Sequence, residues 1–160
     1  MGKIKTRKEL VNIVKKLRKD GKKIVTINGS YDILHIGHIR MLEEAKKQGD
    51  VLIVGVNSDN SVKQYKGKDR PINPEESRAG LIAALEVVDY VTIFNEPDPR
   101  ALLEAIKPDV HVNGPEWGGQ HCIEAEVVKK NGGRLHIVNR VGNYSTTNII
   151  KKILKAYGKH

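Results

Sequence analysis

Two histidines three residues apart, His35 and His38, carry the sharpest chemical signal in the chain. They close the segment Asn28-Gly29-Ser30-Tyr31-Asp32-Ile33-Leu34-His35-Ile36-Gly37-His38, which follows a short apolar run. On the first turn of a helix, that spacing turns both imidazoles the same way. A helix N-terminus adds N–H groups without partners and the positive end of the dipole. Gly29 allows a ligand close to the backbone, and Gly37 leaves room for a bulky group beside the rings. Together these features predict a compact anion site suited to phosphate. Zinc chemistry is a weaker reading, because it needs a third ligand and a catalytic carboxylate, and His111 and His121 lie at no spacing typical of metal sites. A cysteine or serine hydrolase is also poorly supported, since His121 next to Cys122 in sequence is not a dyad.

A histidine pair of this kind has to be held by a strand that ends in a tight turn and re-enters a helix. The surrounding sequence supplies that alternation throughout. Thr6-Arg7-Lys8-Glu9 has the form of a capping box, with Leu10, Ile13, Val14 and Leu17 following at helical spacing and Gly21 ending the helix. Lys23–Asn28, Val51–Asn57, Tyr90–Phe94, Val110–Val112 and Arg134–Val138 read as five strands. The near-continuous apolar run of the second is that of a strand buried on both faces. Helices are expected at Ile36–Gln48, after Asn73 as N-cap with Pro74 in first position, after Asp98-Pro99, at Ile123–Asn131 ahead of Gly132-Gly133, and from about Ser145 to Tyr157. The polar stretch Ser58–Asn73 reads as a long loop. The expected fold is α/β: one domain over 1–160 with an open, mostly parallel, Rossmann-like five-stranded sheet and helices on both faces. Residues 1–22 form an N-terminal helical extension and 145–160 a C-terminal helix. In such sheets ligands sit beyond the carboxyl ends of the strands, here just after Asn28, Asn57, Val112 and Val138.

Composition narrows the partners. The net charge of +9 is uneven: residues 1–23 hold ten Lys or Arg against two acids, 151–160 hold four Lys and no acid, and 24–150 hold 14 basic and 17 acidic residues. The basic ends have no aromatic besides Tyr157, so they read as solvated helix faces, and no nucleic-acid partner is expected. No apolar run approaches the roughly 18 residues of a membrane span, and the start of the chain lacks the apolar stretch of a signal peptide. The single cysteine, Cys122, excludes an internal disulfide and a cysteine-rich zinc site. A soluble cytoplasmic protein is the expectation.

The string G-x-[FY]-D-x-x-H-x-G-H after a first strand resembles the cytidylyltransferase-like nucleotidyltransferases, whose HxGH signature binds nucleotide phosphates. Class I aminoacyl-tRNA synthetases share the HIGH string, but this chain is far shorter and has no KMSKS-like string. The resemblance continues through Asn57-Ser58-Asp59, Lys66-Gly67-Lys68-Asp69-Arg70-Pro71-Ile72-Asn73-Pro74, Glu76-Ser77-Arg78, Ala84-Leu85-Glu86-Val87-Val88-Asp89 and Ser145-Thr146-Thr147-Asn148. Within the family it is strongest to the heptose 1-phosphate adenylyltransferases, which implies AMP transfer from ATP to a sugar 1-phosphate, giving ADP-heptose for lipopolysaccharide and releasing pyrophosphate. The alternatives are cytidylyl transfer to glycerol 3-phosphate or another alcohol phosphate, adenylyl transfer to a flavin or other cofactor phosphate, and, from another class and least favoured by the histidine pair and the Ser-Thr-Thr string, a nucleotide-sensing or nucleic-acid-binding domain using the basic termini. Glycerol 3-phosphate cytidylyltransferases typically carry lysine where this chain has Asn148. The resemblance also implies Mg²⁺ held mainly by substrate phosphates, a homodimer, and a sugar kinase on a separate chain.

The implied reaction gives each site residue an expected role. His35 and His38 donate to the α- and β-phosphate oxygens. Lys66, Arg78 and, with less support, Arg70 neutralise the triphosphate or the incoming sugar phosphate. Ser145, Thr146 and Thr147 form a second phosphate cradle at a helix N-terminus, where one of them could also serve as N-cap. Asn28, Gly29, Ser30, Tyr31 and Gly37 border the nucleotide. Asp32 orients a histidine, binds ribose or makes a structural hydrogen bond. Asn57 and Asp59 face the site after the second strand, and Asn113 and Gly114 after the fourth. Asn113 stands where the heptose enzymes usually carry lysine. Trp117 could stack on a base or sugar or pack in its loop. Glu124 and Glu126 could reach a sugar hydroxyl, though a solvated helix face is the stronger expectation. No protein-held metal is expected.

Overall fold

Runs rich in Val, Ile and Leu build the sheet, because β-branched side chains fit a pleated surface that is covered on both sides. In the computed structural model, which describes residues 2–115, 122–139 and 142–158, the strands are β1 (Ile24–Gly29), β2 (Val51–Asn57), β3 (Tyr90–Phe94), β4 (Val110–Asn113) and β5 (Arg134–Ile137). Their order is β3-β2-β1-β4-β5, and all the pairings are parallel. β2 is buried along its whole length. The helices are α1 (Arg7–Lys19), α2 (Ile36–Lys46), α3 (Asp59–Lys66), α4 (Glu75–Ala83), α5 (Arg100–Ile106), α6 (Ile123–Lys130) and α7 (Thr146–Tyr157).

Alternation along each strand divides the core in two. Val25, Ile27, Val54 and Val112 pack with Leu42 and Ala45 of α2 and Ala79 and Ile82 of α4. Ile24 and Ile53 face the other way, onto Leu10 and Val14 of α1 and Leu102 and Ile106 of α5. The N-terminal helix is therefore tied into the core by Leu10 and Val14. Its start is the expected capping box, Thr6 with Glu9. A backbone bridge from Ile4 to Val91 extends the β3 edge.

Two local expectations are corrected. Ser58–Asn73 is not one long loop, because Asp59–Lys66 forms α3, with the Ser58 hydroxyl accepting from the Ser61 N–H. That helix buries only Ser61 and Val62, so its polar composition disguised it. Asn73 is not the N-cap of α4. Pro74 holds that position and Glu75 opens the helix, because Asp32 engages Asn73: the Asn73 N–H donates to the Asp32 carboxylate at 2.9 Å.

The strand order reverses direction between β1 and β4. In a doubly wound sheet this opens a crevice at their carboxyl ends. β1 ends there at Asn28-Gly29 and β4 at Asn113.

Candidate active site

A cavity of about 600 Å³ fills that crevice. The turn between β1 and α2 forms its first wall. Tyr31 has φ +47°, a conformation uncommon outside glycine, and this folds its buried ring back over Gly29. A Cβ on Gly29 would meet that ring at 3.2 Å. The ring then lies edge-on to His38 at 5.3 Å, and burial pushes its phenol pKa up. His35 is the N-cap of α2. The His35 and His38 rings stack 3.8 Å apart. The space left by Gly37 is taken by the His35 ring, 3.0 Å from where a Cβ would sit, and by Tyr144.

The electrostatics fix one imidazole as a neutral donor. Burial, followed by the nearby charges of His35 and Lys66, pushes the His38 pKa down to about 4. The backbone N–H of His35 donates to His38 Nδ1 at 3.3 Å. The ring proton of neutral His38 is thereby assigned to Nε2, on a side chain that lines the cavity.

Lys66, in the last turn of α3, reaches the same cavity and donates to Ser30 Oγ at 2.9 Å. Burial and then Arg70 push its pKa down. Arg78 is placed differently from the expectation. Its side chain is fully buried and off the cavity wall. It donates to the Ser30 carbonyl at 2.6 Å, the Asn73 carbonyl at 2.9 Å and Asp59 Oδ1 at 2.8 Å. Those three acceptors occupy the fork that was expected to meet phosphate, and the same bonds draw Asp59 away from the cavity. Asp32, also off the cavity, takes Arg70 Nε at 2.7 Å and the N–H groups of Ile72 and Asn73 at 2.9 Å. Burial acts to raise its pKa, but these donors outweigh it and hold the carboxyl below its usual value. Of the roles left open for Asp32, the structural hydrogen bond is the one seen. Arg78 and Asp32 thus clamp the segment between α3 and α4 against the turn between β1 and α2.

Ser145, Thr146 and Thr147 come to the cavity from the opposite side. Ser145 caps α7 by accepting from the Asn148 N–H at 3.1 Å. Thr146 Oγ1 donates to the Ile33 carbonyl at 3.5 Å, linking the two helix starts. The two N-termini therefore face one space, as a two-sided phosphate cradle requires.

The strand ends form the floor. Asn28, Asn57 and Asn113 all line the cavity, as does the Gly114 backbone. Asn57 Nδ2 donates to Ser61 Oγ at 3.0 Å. Glu124 and Glu126 separate: Glu126 is exposed, whereas Glu124 is buried and lines the cavity, contrary to the solvated face expected for both. Sequence reasoning also missed Tyr65, Asp98 and Tyr144 on the lining. The available signal for Glu124 was its i, i+4 spacing to Val128, which shares its buried face. His111 lies under the floor, with Thr26 Oγ1 2.8 Å from its Nδ1. Burial pushes its pKa down to about 4. Glu116, Trp117 and His121 lie outside the described residues.

The cytidylyltransferase-like family matches residues 26–152. Bifunctional protein HldE of Geobacter metallireducens is 46% identical over 157 residues, 98% of this chain and 32% of the relative. Bifunctional protein HldE of Nitratiruptor sp. is 47% identical over 150 residues, 94% of this chain and 32% of the relative. The chain spans about a third of the length of these curated relatives. The lipopolysaccharide core biosynthesis protein from Thermoplasma volcanium superposes with a TM-score of 0.64 at 36% identity, covering 78% of this chain and 100% of that one. Pantoate-beta-alanine ligase from Francisella tularensis shares the fold, with a TM-score of 0.60 at 18% identity over 98% of this chain and 79% of its own. No helix among the described residues is long and apolar enough to cross a membrane.

Proposed function

The chain belongs to the cytidylyltransferase-like family of nucleotidyltransferases, and from that membership we propose that it transfers AMP from ATP to a sugar 1-phosphate, heptose 1-phosphate, with release of pyrophosphate. The observation that carries this reading is the stacked His35–His38 pair at the start of α2, facing the Ser145–Thr147 start of α7 across one cavity. The relatives named Bifunctional protein HldE and the lipopolysaccharide core biosynthesis protein support the choice of acceptor.

In this mechanism an oxygen of the acceptor phosphate attacks the α-phosphorus of ATP. A new P–O bond forms, the bond from the α-phosphorus to the bridging oxygen breaks, and its electron pair leaves on pyrophosphate. The nucleophile is already ionised, so no general base is needed, and the protein supplies position and charge stabilisation. His38 Nε2–H donates to phosphate oxygens as charge grows on them. Lys66 adds a cation that moves from Ser30 to the triphosphate. Ser145, Thr146 and Thr147 hold the phosphates from the other side. Mg²⁺ enters with the triphosphate as part of the substrate, bound mainly to its oxygens and to water. The lining suits that arrangement, because the wall formed by the two helix starts carries hydrogen-bond donors.

The test is pyrophosphate release with Mg²⁺ across four nucleoside triphosphates and a panel of sugar and alcohol phosphates. Turnover with ATP and heptose 1-phosphate, lost in His35→Ala and His38→Ala, is the expected result. Turnover with another pair keeps the chemistry and replaces the substrate. No turnover with any pair, with nucleotide still bound, overturns the enzyme reading in favour of nucleotide sensing.

A further inference from the structure

The cavity has two chemically different ends. Strand alternation sets them apart, since Asn28 has the parity of Ile24, and Asn57 that of Ile53, both of which face α1 and α5. Asn113 has the parity of His111, whose ring meets Thr26 on that same side of the sheet. The three amides therefore lean toward α5 and α6, away from α2 and its histidines. Glu124 completes this end from the first turn of α6. It is 5% exposed, and the Cys122 thiol donates to its Oε2 at 3.2 Å. Asn113 Nδ2 in turn points to Cys122 Sγ at 3.4 Å. Among the described residues no lysine or arginine forms an ion pair with Glu124.

A carboxylate that no ion pair neutralises on a cavity wall repels phosphate and accepts from neutral donors, and Arg100, whose charge Glu124 feels, is itself paired with Asp98. A second acceptor stands at the same end: Asn28 Oδ1 is buried without a hydrogen-bond partner. A buried acceptor left unmet is costly, and a ligand donor recovers that cost. Two acceptors at one end of a cavity whose other end takes phosphate fit a molecule with hydroxyls at one end and phosphate at the other. We infer that Glu124, positioned by Cys122, is a specificity-determining residue that accepts hydrogen bonds from sugar hydroxyls, with Asn28 Oδ1 as its companion. The inference rests on reading this cavity as the nucleotidyl-transfer site. Two substrates carry such hydroxyls, the ribose of the nucleotide and the ring of the acceptor sugar.

The experiment separates them and does not need turnover in its first arm. Calorimetric binding of ATP, 2′-deoxy-ATP and 3′-deoxy-ATP is measured on the wild type, Glu124→Gln and Glu124→Ala. The glutamine keeps an acceptor for the Cys122 thiol and removes the charge. A charge-assisted bond is about twice as strong as a neutral one, so a ribose contact predicts roughly tenfold weaker ATP binding in Glu124→Gln. It also predicts that the variant no longer distinguishes ATP from the deoxy analogue that the wild type rejects. In the second arm, pyrophosphate release gives KM and kcat for heptose 1-phosphate. An acceptor contact predicts unchanged ATP affinity and an acceptor KM raised roughly tenfold, with a smaller change in kcat. Either pattern supports the assignment. If both variants keep ATP affinity, analogue discrimination and acceptor KM within twofold, the assignment is wrong. A lower melting temperature with unchanged discrimination and KM likewise makes Glu124 structural only. Lost discrimination in a protein that releases no pyrophosphate with any substrate pair would uphold Glu124 while overturning the proposed reaction. A wild type that binds none of the probes overturns both.

Discussion

Two helix N-termini face the cavity, and they are anchored in opposite ways. α2 is set in the core through Leu42 and Ala45, and the turn before it is braced by Tyr31, Asp32 and Arg78, all buried. α7 buries no residue along its length, and Ile153, Leu154 and Tyr157 on it are exposed. Both ends line the one cavity, where the proposed mechanism places the phosphates. The difference teaches that one donor set is fixed by the same bonds that hold the fold, whereas the other, among the described residues, is held by local capping, the hydrogen bond from Thr146 to Ile33 and the approach of Tyr144 to Gly37. Substitutions around α2 should therefore move rate or stability strongly, and substitutions at the start of α7 should move binding alone.

The strongest test of the fixed side is His38→Ala. It removes a neutral donor already aimed by the His35 N–H, and losing one such donor costs about 10²–10³ in kcat. The melting temperature should stay close to that of the wild type, because the side chain faces a cavity. A kcat within threefold of wild type would show that the stacked pair does not meet the reacting phosphates.

Arg78→Met tests the bracing. It leaves the Ser30 and Asn73 carbonyls and the Asp59 carboxylate without their guanidinium. Each stranded carbonyl costs about 1–3 kcal/mol, while Asp59, 34% exposed, is rehydrated in part. Chemical denaturation should show that loss. A variant as stable as the wild type but inactive would return Arg78 to the phosphate-binding role suggested by its sequence position.

That contrast also marks where sequence reading succeeded. The strand–turn–helix around Asn28–His38 was legible because apolar residues, glycines and the histidine spacing are all local signals. The same holds for the capping box at Thr6 and the start of α7 at Ser145. Arg78 and Asp32 were not legible, because Arg78 meets Ser30 48 positions away and Asp32 meets Asn73 41 positions away. Such bonds leave no periodic trace. α3 was hidden for a different reason: only Ser61 and Val62 of its residues are buried, so hydrophobic periodicity had almost nothing to report. Glu124 was hidden by its own charge, which reads as solvent-facing until a cavity is known to lie beside it.

Acid should weaken the fixed side. His38 and His111 both have pKa values of about 4 in the fold, against about 6.5 in an unfolded chain. Between those values the unfolded state binds protons that the folded state refuses, so stability falls as pH drops from about 6.5 toward 4, and the contribution of these two histidines is constant above that range. Asp32, whose carboxyl is held below its usual value, adds a loss at still lower pH as it takes up a proton. Denaturation midpoints at pH 7, 5.5 and 4.5 should decline in that order. His111→Leu lowers stability at pH 7 by stranding the Thr26 hydroxyl, yet its decline with acid should be shallower. An unchanged slope in that variant would remove His111 from the explanation.

Ser145→Ala probes the loosely held side and should have the smallest effect on the fold. Losing a serine cap costs about 1 kcal/mol of helix stability. In a helix packed into the core, that loss would lower the melting temperature by about 2–4 °C in a chain of this size. α7 buries nothing, so its fraying is uncoupled from global unfolding, and the melting temperature should not move. Hydrogen exchange at Thr147–Ile149 should accelerate. KM for the triphosphate should rise several-fold, because the cradle spends more time open, while kcat at saturation changes less. A melting temperature lowered by several degrees would show that α7 folds cooperatively with the sheet, and the two ends would then differ only in where their bonds lie.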